Sequence, residues 1–455
     1  MWLLEEMIAD VSMKGALPLL LEQQQILEES PLGNVNQLAT NAVQMAVAAL
    51  QGLLREQLSI NTSAQIDRAL IDLWCTNSVL PVGWQLPAAW DDLAKDYRCA
   101  DGWIRLHTNA PHHRNSAIAV LGSVSNADEA AEAVASWQGQ ALETAIVAAG
   151  GCAAQLRDQR QWAEHPQGKA VAQEPIVDWK YSGHIQASQA WRATDENRPL
   201  RGLKVLDLTR VIAGPVATRF LASLGADILR VDPPFWTEHG KEIDLTVGKR
   251  CAGLDLRNAE DKAQLHSLIT SADVLVHGYR KGALAGLGFD EQALQSMNPK
   301  LISVGLNAYG ATGPWQQRRG FDSLVQRSSG LAVADENRVY ELPYQVLDHA
   351  TGYLMAATVI QALRWQHNHK QSTTAHLSLA RQAKLLTDSG IDTIAWQQLH
   401  LPQSKQLGPY AQRCTPEATG WGKALRLPLP MQVQGVDMFW ELPANKLRTA
   451  LPEWA

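Results

Sequence analysis

Two long stretches repeat apolar residues all the way round a helical turn, Leu38–Leu54 and the run YQVLDHATGYLMAATVIQAL from Tyr344 to Leu363. A helix apolar on every face is a buried helix. From Leu203 onward the pattern changes to short apolar runs. LKVLDLT, DILRVD, CAGLDLR, DVLVHGY and LISVGLNAYG read as strands. Helices lie between some of them: AGPVATRFLASLGA, Ala259 to Ile269 behind an Asn258 cap, and Asp290 to Met297. Strands alternating with helices predict an α/β fold with a doubly wound parallel sheet. Ligands of such sheets sit beyond the C-terminal strand ends. Those ends carry Asp207 and Thr209, Asp232, His277 and Tyr279, Asn307 and Tyr309.

The remaining pattern divides the chain. Residues 1–76 are mainly helical, with a strand and turn in LSINTSAQID. Residues 77–175 read as a smaller α/β domain containing the strand of CADGWIRLHT and a helix stopped by Gly150 and Gly151. Residues 176–200 read as a linker and 201–390 as the main α/β domain. The tail, 391–455, is rich in Pro, Gly and Trp and gives no clear pattern.

Composition changes this picture little. The chain has 455 residues, 46% hydrophobic and 19% charged, with a formal net charge of −6, which gives no reason to expect a nucleic-acid partner. Five scattered cysteines without a CxxC pair argue against a disulfide framework or a structural zinc site, so no metal is expected. A cytoplasmic setting fits. The acidic first residues lack a secretory n-region, and no apolar run reaches the ~18 residues of a membrane span.

The segment Gln37–Leu–Ala–Thr40 parallels Asp348–His–Ala–Thr351, and TSAQIDRA from Thr62 parallels TTAHLSLA from Thr373. Both pairs share one offset, 311 (Ala39 to Ala350, Ala64 to Ala375). The 1–76 segment therefore reads as a degenerate repeat of the 349–387 region. Gln37 stands where Asp348 stands, so the helix needs no aspartate to start. A helix cap, a paired core charge and a reacting group all remain readings of Asp348.

Five ordered stretches between Pro199 and Gln382 resemble the class III CoA-transferases, the superfamily of formyl-CoA and carnitine CoA-transferases and α-methylacyl-CoA racemase. They are LKVLDLTRVIAGPVATRFLASLGADILRVDPP, GKRCAGLDLR, ADVLVHGYRKGALAGLGFD, NPKLISVGLNAYGATGPWQQRRGFDSLVQRSSG and the Asp348 segment. The resemblance implies a Rossmann-like CoA-binding domain. It makes Asp348 the catalytic carboxylate of a transferase that moves CoA from an acyl-CoA to a carboxylic acid. Coenzyme A would be a substrate and the intermediates would be aspartyl anhydride and thioester. A piece reading ADGWI, Ala100–Ile104, normally follows the catalytic domain in this family and here precedes it. One chain would then supply parts usually drawn from two interlocked subunits, leaving a homodimer an open question.

The resemblance also implies CoA contacts at Arg210, Val211, Ala213 and Gly214, where a helix N-terminus favours an anion. The basic pair Lys249 and Arg250 is expected near CoA phosphates, and His277, Tyr279, Arg280 and Ala283 near adenine and phosphate. Gly286 departs from an arginine of some relatives. Phe321 and Gln326 are expected at the substrate. Phe321 replaces the histidine of the racemases and cannot move a proton. His349 is expected to point away from Asp348. No Gly-rich run of the kind that covers the aspartate of formyl-CoA transferase is present. Two alternatives stay open: an acyl-CoA racemase or isomerase, and an acyl-CoA-binding homologue without turnover.

Overall fold

The computed structural model describes residues 2–11, 20–28, 30–238, 240–391 and 408–455. At its centre is a seven-stranded sheet made of β1 (Asp178–His184), β2 (Lys204–Leu208), β3 (Asp227–Asp232), β4 (Lys249–Gly253), β5 (Val274–His277), β6 (Ile302–Asn307) and β7 (Gln371–Ser378). The order is β4-β3-β2-β5-β6-β7-β1, and every pair is parallel except β7 with β1. The fold is thus mixed α/β with a mostly parallel sheet. Strand order turns between β2 and β5, so a crevice opens beyond their C-terminal ends. Arg210 follows β2 and Tyr279 follows β5 at that point.

The linker reading of 176–200 is corrected, since these residues contain β1. This edge strand is largely exposed, so it keeps the polar composition of a loop. The tail also gains a place. Thr415–Thr419 and Gly422–Arg426 form a hairpin paired to Val79–Pro81. Met431–Val433 pairs antiparallel to Ala64–Asp67, which lies parallel to Gln24–Leu27.

The repeat is visible element by element. Helices α1 (Gly33–Leu58), α2 (Arg68–Thr76), α3 (Ala213–Ser223), α4 (Asp322–Ser329), α5 (Val346–His369) and α6 (Leu379–Asp388) are the ones that matter here. Helix α1 ends at Ser59, φ +60, and α5 at Lys370, φ +56, both left-handed and 311 residues apart. Each is followed by a strand whose last residue caps the next helix. Asp67 accepts from the Leu70 N–H and Ser378 from the Arg381 N–H, again 311 apart.

Helices α1 and α5 pack together, and the Arg364 guanidinium of α5 pairs with Glu56 of α1 over Gly52. Helix α3 approaches α5 at Gly352, where a Cβ would lie 2.4 Å from the Ala213 carbonyl oxygen. Only glycine permits that approach. One apolar core runs from Leu3 and α1 through α3, α5 and α6 to Met431 and Val433. A separate core around Leu93, Tyr97, Ile104, Leu142 and Ile146 holds the smaller α/β unit.

A buried ion cluster ties the tail to this core. The Asp244 carboxylate accepts from Arg219 at 2.9 Å and Arg426 at 3.1 Å, and also from the Ser78 hydroxyl. Burial alone would raise its pKa, but Arg219 and Arg426 override burial and hold it below the usual range. Asp244→Ala would leave the buried Arg219 guanidinium without a counter-charge and Arg426 with Glu417 alone, at 2.8 Å, so urea denaturation should show a loss of about 3–5 kcal/mol. The depressed pKa makes this contribution present at neutral pH and lost on acidification below the ordinary carboxylate range. The parent should lose stability there more steeply than the variant.

Candidate active site

Two helix starts converge at Asp348. Asp348 lies in the first turn of α5, and Asp322 opens α4. The Asp348 backbone N–H donates to Asp322 Oδ2 at 2.9 Å, and Gln326 Nε2 donates to Asp322 Oδ1 at 2.6 Å. Both carboxylates are enclosed, Asp322 fully and Asp348 with 8% of its surface exposed. Burial and then the charge of Asp322 push the Asp348 pKa well above the usual range, against a smaller opposite pull from Lys241. Burial raises Asp322 to about 7. Near neutral pH such a pair retains a proton.

Asp348 forms part of the wall of two cavities. The first, about 370 Å³, lies beyond β2 and β5 and is lined by Arg210, Val211, Ala213, Tyr279, Arg280, Ala283, Phe321 and Asp348, all named from the sequence. Arg319, His112, His113 and Trp236 complete its character. The Arg210 guanidinium lies over the Trp236 and Tyr279 rings, 5.0 and 5.5 Å from their centroids. Burial lowers the Arg280 pKa and the Arg319 charge lowers it further, so the two cations repel each other. Both ring nitrogens of buried His113 lack a hydrogen-bond partner. Clustered cations, aromatic faces and unpartnered polar atoms suit a large anionic ligand with an aromatic group.

The second cavity, about 260 Å³, is mainly apolar. Trp90, Ala110, Ile212, Trp236, Phe321 and Leu342 line it beside Asp348, with Cys75 and Thr76 from the N-terminal repeat. The Tyr344 hydroxyl, also in this wall, donates to Asp72 of α2 at 2.7 Å. Phe321 separates the cavities and stacks on His107 with centroids 3.8 Å apart. Val211 touches both with φ +66, a strained conformation for a β-branched residue, and its N–H donates to Glu238 at 2.8 Å.

Several expected contacts are not at these cavities. Lys249 is corrected outright: its ammonium is buried and donates to Asp207 at 3.2 Å, the Pro215 carbonyl at 3.0 Å and the Thr218 hydroxyl at 2.6 Å. All three protons are used. Arg250 pairs with both oxygens of Asp227, at 2.6 and 2.9 Å, and donates to the Glu453 carbonyl. The His277 ring lies over Gly305 beside His376, and burial takes its pKa to about 3. Gly214 packs on Thr209. Gln326 is buried behind Asp322 and holds it, also accepting from the Leu342 N–H. His349 is buried next to Asp348, hydrogen-bonded to the Cys75 backbone and held neutral by burial, with a pKa of about 3.

Sequence reasoning missed Trp90, His107, His112, His113, Trp236, Lys241 and Arg319. Arg319 had a signal, the basic pair directly before Gly320–Phe321–Asp322. The others come from loops and from the smaller α/β unit, which the chain brings in from far away.

Residues 200–406 match the family model described as CoA-transferase family III. An acyl-CoA transferase of Gibberella moniliformis is 28% identical over 323 residues, covering 65% of this chain and 56% of that protein. A probable fatty acyl-CoA transferase of Mycobacterium tuberculosis is 33% identical over 184 residues, 36% of this chain and 46% of that one. A succinate–glutarate CoA-transferase of Agrobacterium fabrum is 30% identical over 204 residues, 40% and 50% of the two chains. The chain therefore spans about half the length of these curated relatives. Over the matched segment, this chain is similar to proteins of CoA-transferase family III.

Proposed function

We propose that the chain moves CoA between an acyl-CoA and a carboxylic acid through covalent intermediates on Asp348. The observation that carries this reading is the position of Asp348 in the shared wall of a cationic cavity and an apolar one. The cationic cavity would hold CoA as substrate, with Arg210, Arg280 and Arg319 on its phosphates. The apolar cavity would hold the acyl group. The thioester carbon then lies at Asp348.

An Asp348 oxygen attacks that carbon, the C–S bond breaks and CoA leaves as thiolate, giving an acyl–aspartyl anhydride. The thiolate attacks the aspartyl carbonyl of the anhydride and releases the first acid as carboxylate. The second acid attacks the aspartyl thioester, and the returning thiolate takes its acyl group, restoring Asp348. No water or net proton is consumed. A carboxylate needs no base, and enclosure by Trp236, Phe321 and Trp90 limits hydrolysis of the anhydride. The racemase reading loses support because Phe321, not a titrating group, faces both cavities.

Asp348→Asn preserves size and can still accept a hydrogen bond at the helix start. It should abolish transfer, by at least about 1,000-fold, while CoA affinity by calorimetry stays near that of the parent. Hydroxylamine added during turnover should leave a hydroxamate on Asp348, read by peptide mass spectrometry. Transfer near the parent rate in Asp348→Asn would make that residue structural.

Arg280→Ala with Arg319→Ala should weaken CoA binding at least about tenfold and flatten its salt dependence, whereas Arg250→Ala should leave it unchanged.

The pH profile should report the carboxylate pair. Only ionised Asp348 attacks, and its pKa is raised, so kcat/KM should climb with pH above the ordinary carboxylate range. Asp322→Asn removes the neighbouring negative charge and should move that limb to lower pH. An unmoved limb would separate Asp322 from the nucleophile.

A further inference from the structure

The apolar cavity contains one feature that CoA binding does not use. Lys241 lines it beside Asp348, and its ammonium donates to the Thr76 carbonyl at 3.1 Å. Among the described residues, no carboxylate lies within ion-pair distance of that ammonium, yet it acts electrostatically on Asp348. Asp244 acts on it more strongly than Asp348 does, but of the two only Asp348 shares the cavity wall with Lys241, so the cavity presents one cation and that carboxylate to a bound anion. We infer that Lys241 binds the carboxylate of the acid substrate against Asp348, and that the acid is a compact monocarboxylate with an apolar or aromatic body. This rests on the transfer reading above and names the substrate class for it.

The rest of the wall carries the second half of the inference. Ala89, Trp90, Ala110, Trp236, Leu342 and Pro343 offer hydrocarbon and aromatic surface to whatever extends from the carboxylate. Lys241 is the only lysine or arginine lining the cavity among the described residues, and burial lowers its pKa together with that of His107. Besides Asp348 and Asp322, the acidic groups in the wall are Glu238 and Glu341, which are already taken by Arg230 and Arg327, each at 2.7 Å. A second substrate carboxylate would find no cation and only acidic neighbours, an unpaired buried charge that is costly. The volume lies just below the roughly 300 Å³ at which pockets for drug-sized ligands begin, so the body must be short. Donor and acceptor acids occupy this cavity in turn, so both belong to the same class.

The test uses self-exchange, which needs no knowledge of the natural pair. The full chain is incubated with butanoyl-CoA and carbon-13 butanoate, or with pentanoyl-CoA and carbon-13 pentanoate, and label in the thioester is followed by mass spectrometry. The length-matched controls are succinyl-CoA with succinate and glutaryl-CoA with glutarate. Exchange should be at least about tenfold more efficient for each monocarboxylate than for its dicarboxylate mate. Lys241→Met should raise KM for the acid about tenfold or more without changing CoA affinity. Equal or better exchange with the dicarboxylates, or an unchanged acid KM in Lys241→Met, overturns the inference and leaves the transfer reading intact. If no pair exchanges, the transfer reading fails, and saturation-transfer NMR with pentanoate decides the site alone. Pentanoate bound by the parent and lost in Lys241→Met upholds it; no binding, or equal binding by both, overturns it.

Discussion

Two carboxylates forced together out of water set the character of this site. Asp348 and Asp322 each begin a helix, and the hydrogen bond between them fixes one helix start against the other. Helix N-termini favour negative charge, but only within the first turn and by about 1 kcal/mol at most for exposed groups. Burial is larger here, and the Asp322 charge adds to it at Asp348 and the Glu341 charge at Asp322, so both groups are pushed toward their neutral forms. A carboxylate that is ionised only when its surroundings supply positive charge answers to its ligand. The cations of the neighbouring cavity and the ammonium of Lys241 are the charges placed to do so.

That pair stays in place because the surrounding scaffold is braced by buried charge of its own. Lys249 joins β4 to the end of β2 and the start of α3 through Asp207, Pro215 and Thr218. The same α3 meets α5 at Gly352, one turn beyond Asp348. Glu238 gathers Arg230, the Trp236 indole and the strained Val211 N–H, which sets the loop that walls both cavities. A basic pair that resembles a phosphate site in the sequence is therefore divided in use: one member supports the sheet and the other pairs at its edge.

The repeat shows how two copies of one local fold close a single site. The N-terminal copy folds like the Asp348 copy, with matching left-handed helix ends and matching caps, yet it carries Gln37 where the second copy carries Asp348. Its contribution is structural. Helix α1 shares a core with α5, Asp72 accepts from Tyr344, and Cys75 and Thr76 form part of the apolar cavity. The duplicated fold thus encloses one carboxylate, with many separated stretches of one chain lining its two cavities.

Periodicity alone determined a good part of this protein. The buried α5, the strands around β2 to β6, the repeat and the special position of Asp348 are all local patterns, and local patterns are written in consecutive residues. Tyr279 was legible because it ends a strand, where ligands of such sheets sit, while Arg210 and Arg280 beside such ends were named only through the family resemblance. Tertiary structure decided the rest. Whether Lys249 meets phosphate or Asp207, and whether Gln326 meets substrate or Asp322, depends on which residues far along the chain fill the same space. The polar edge strand β1 and the tail strands exist only because distant partners supply their hydrogen bonds. Lys241, Trp90 and Trp236 acquire meaning only when folding brings them to one aspartate, since a cavity is a property of the surfaces around it and not of any segment.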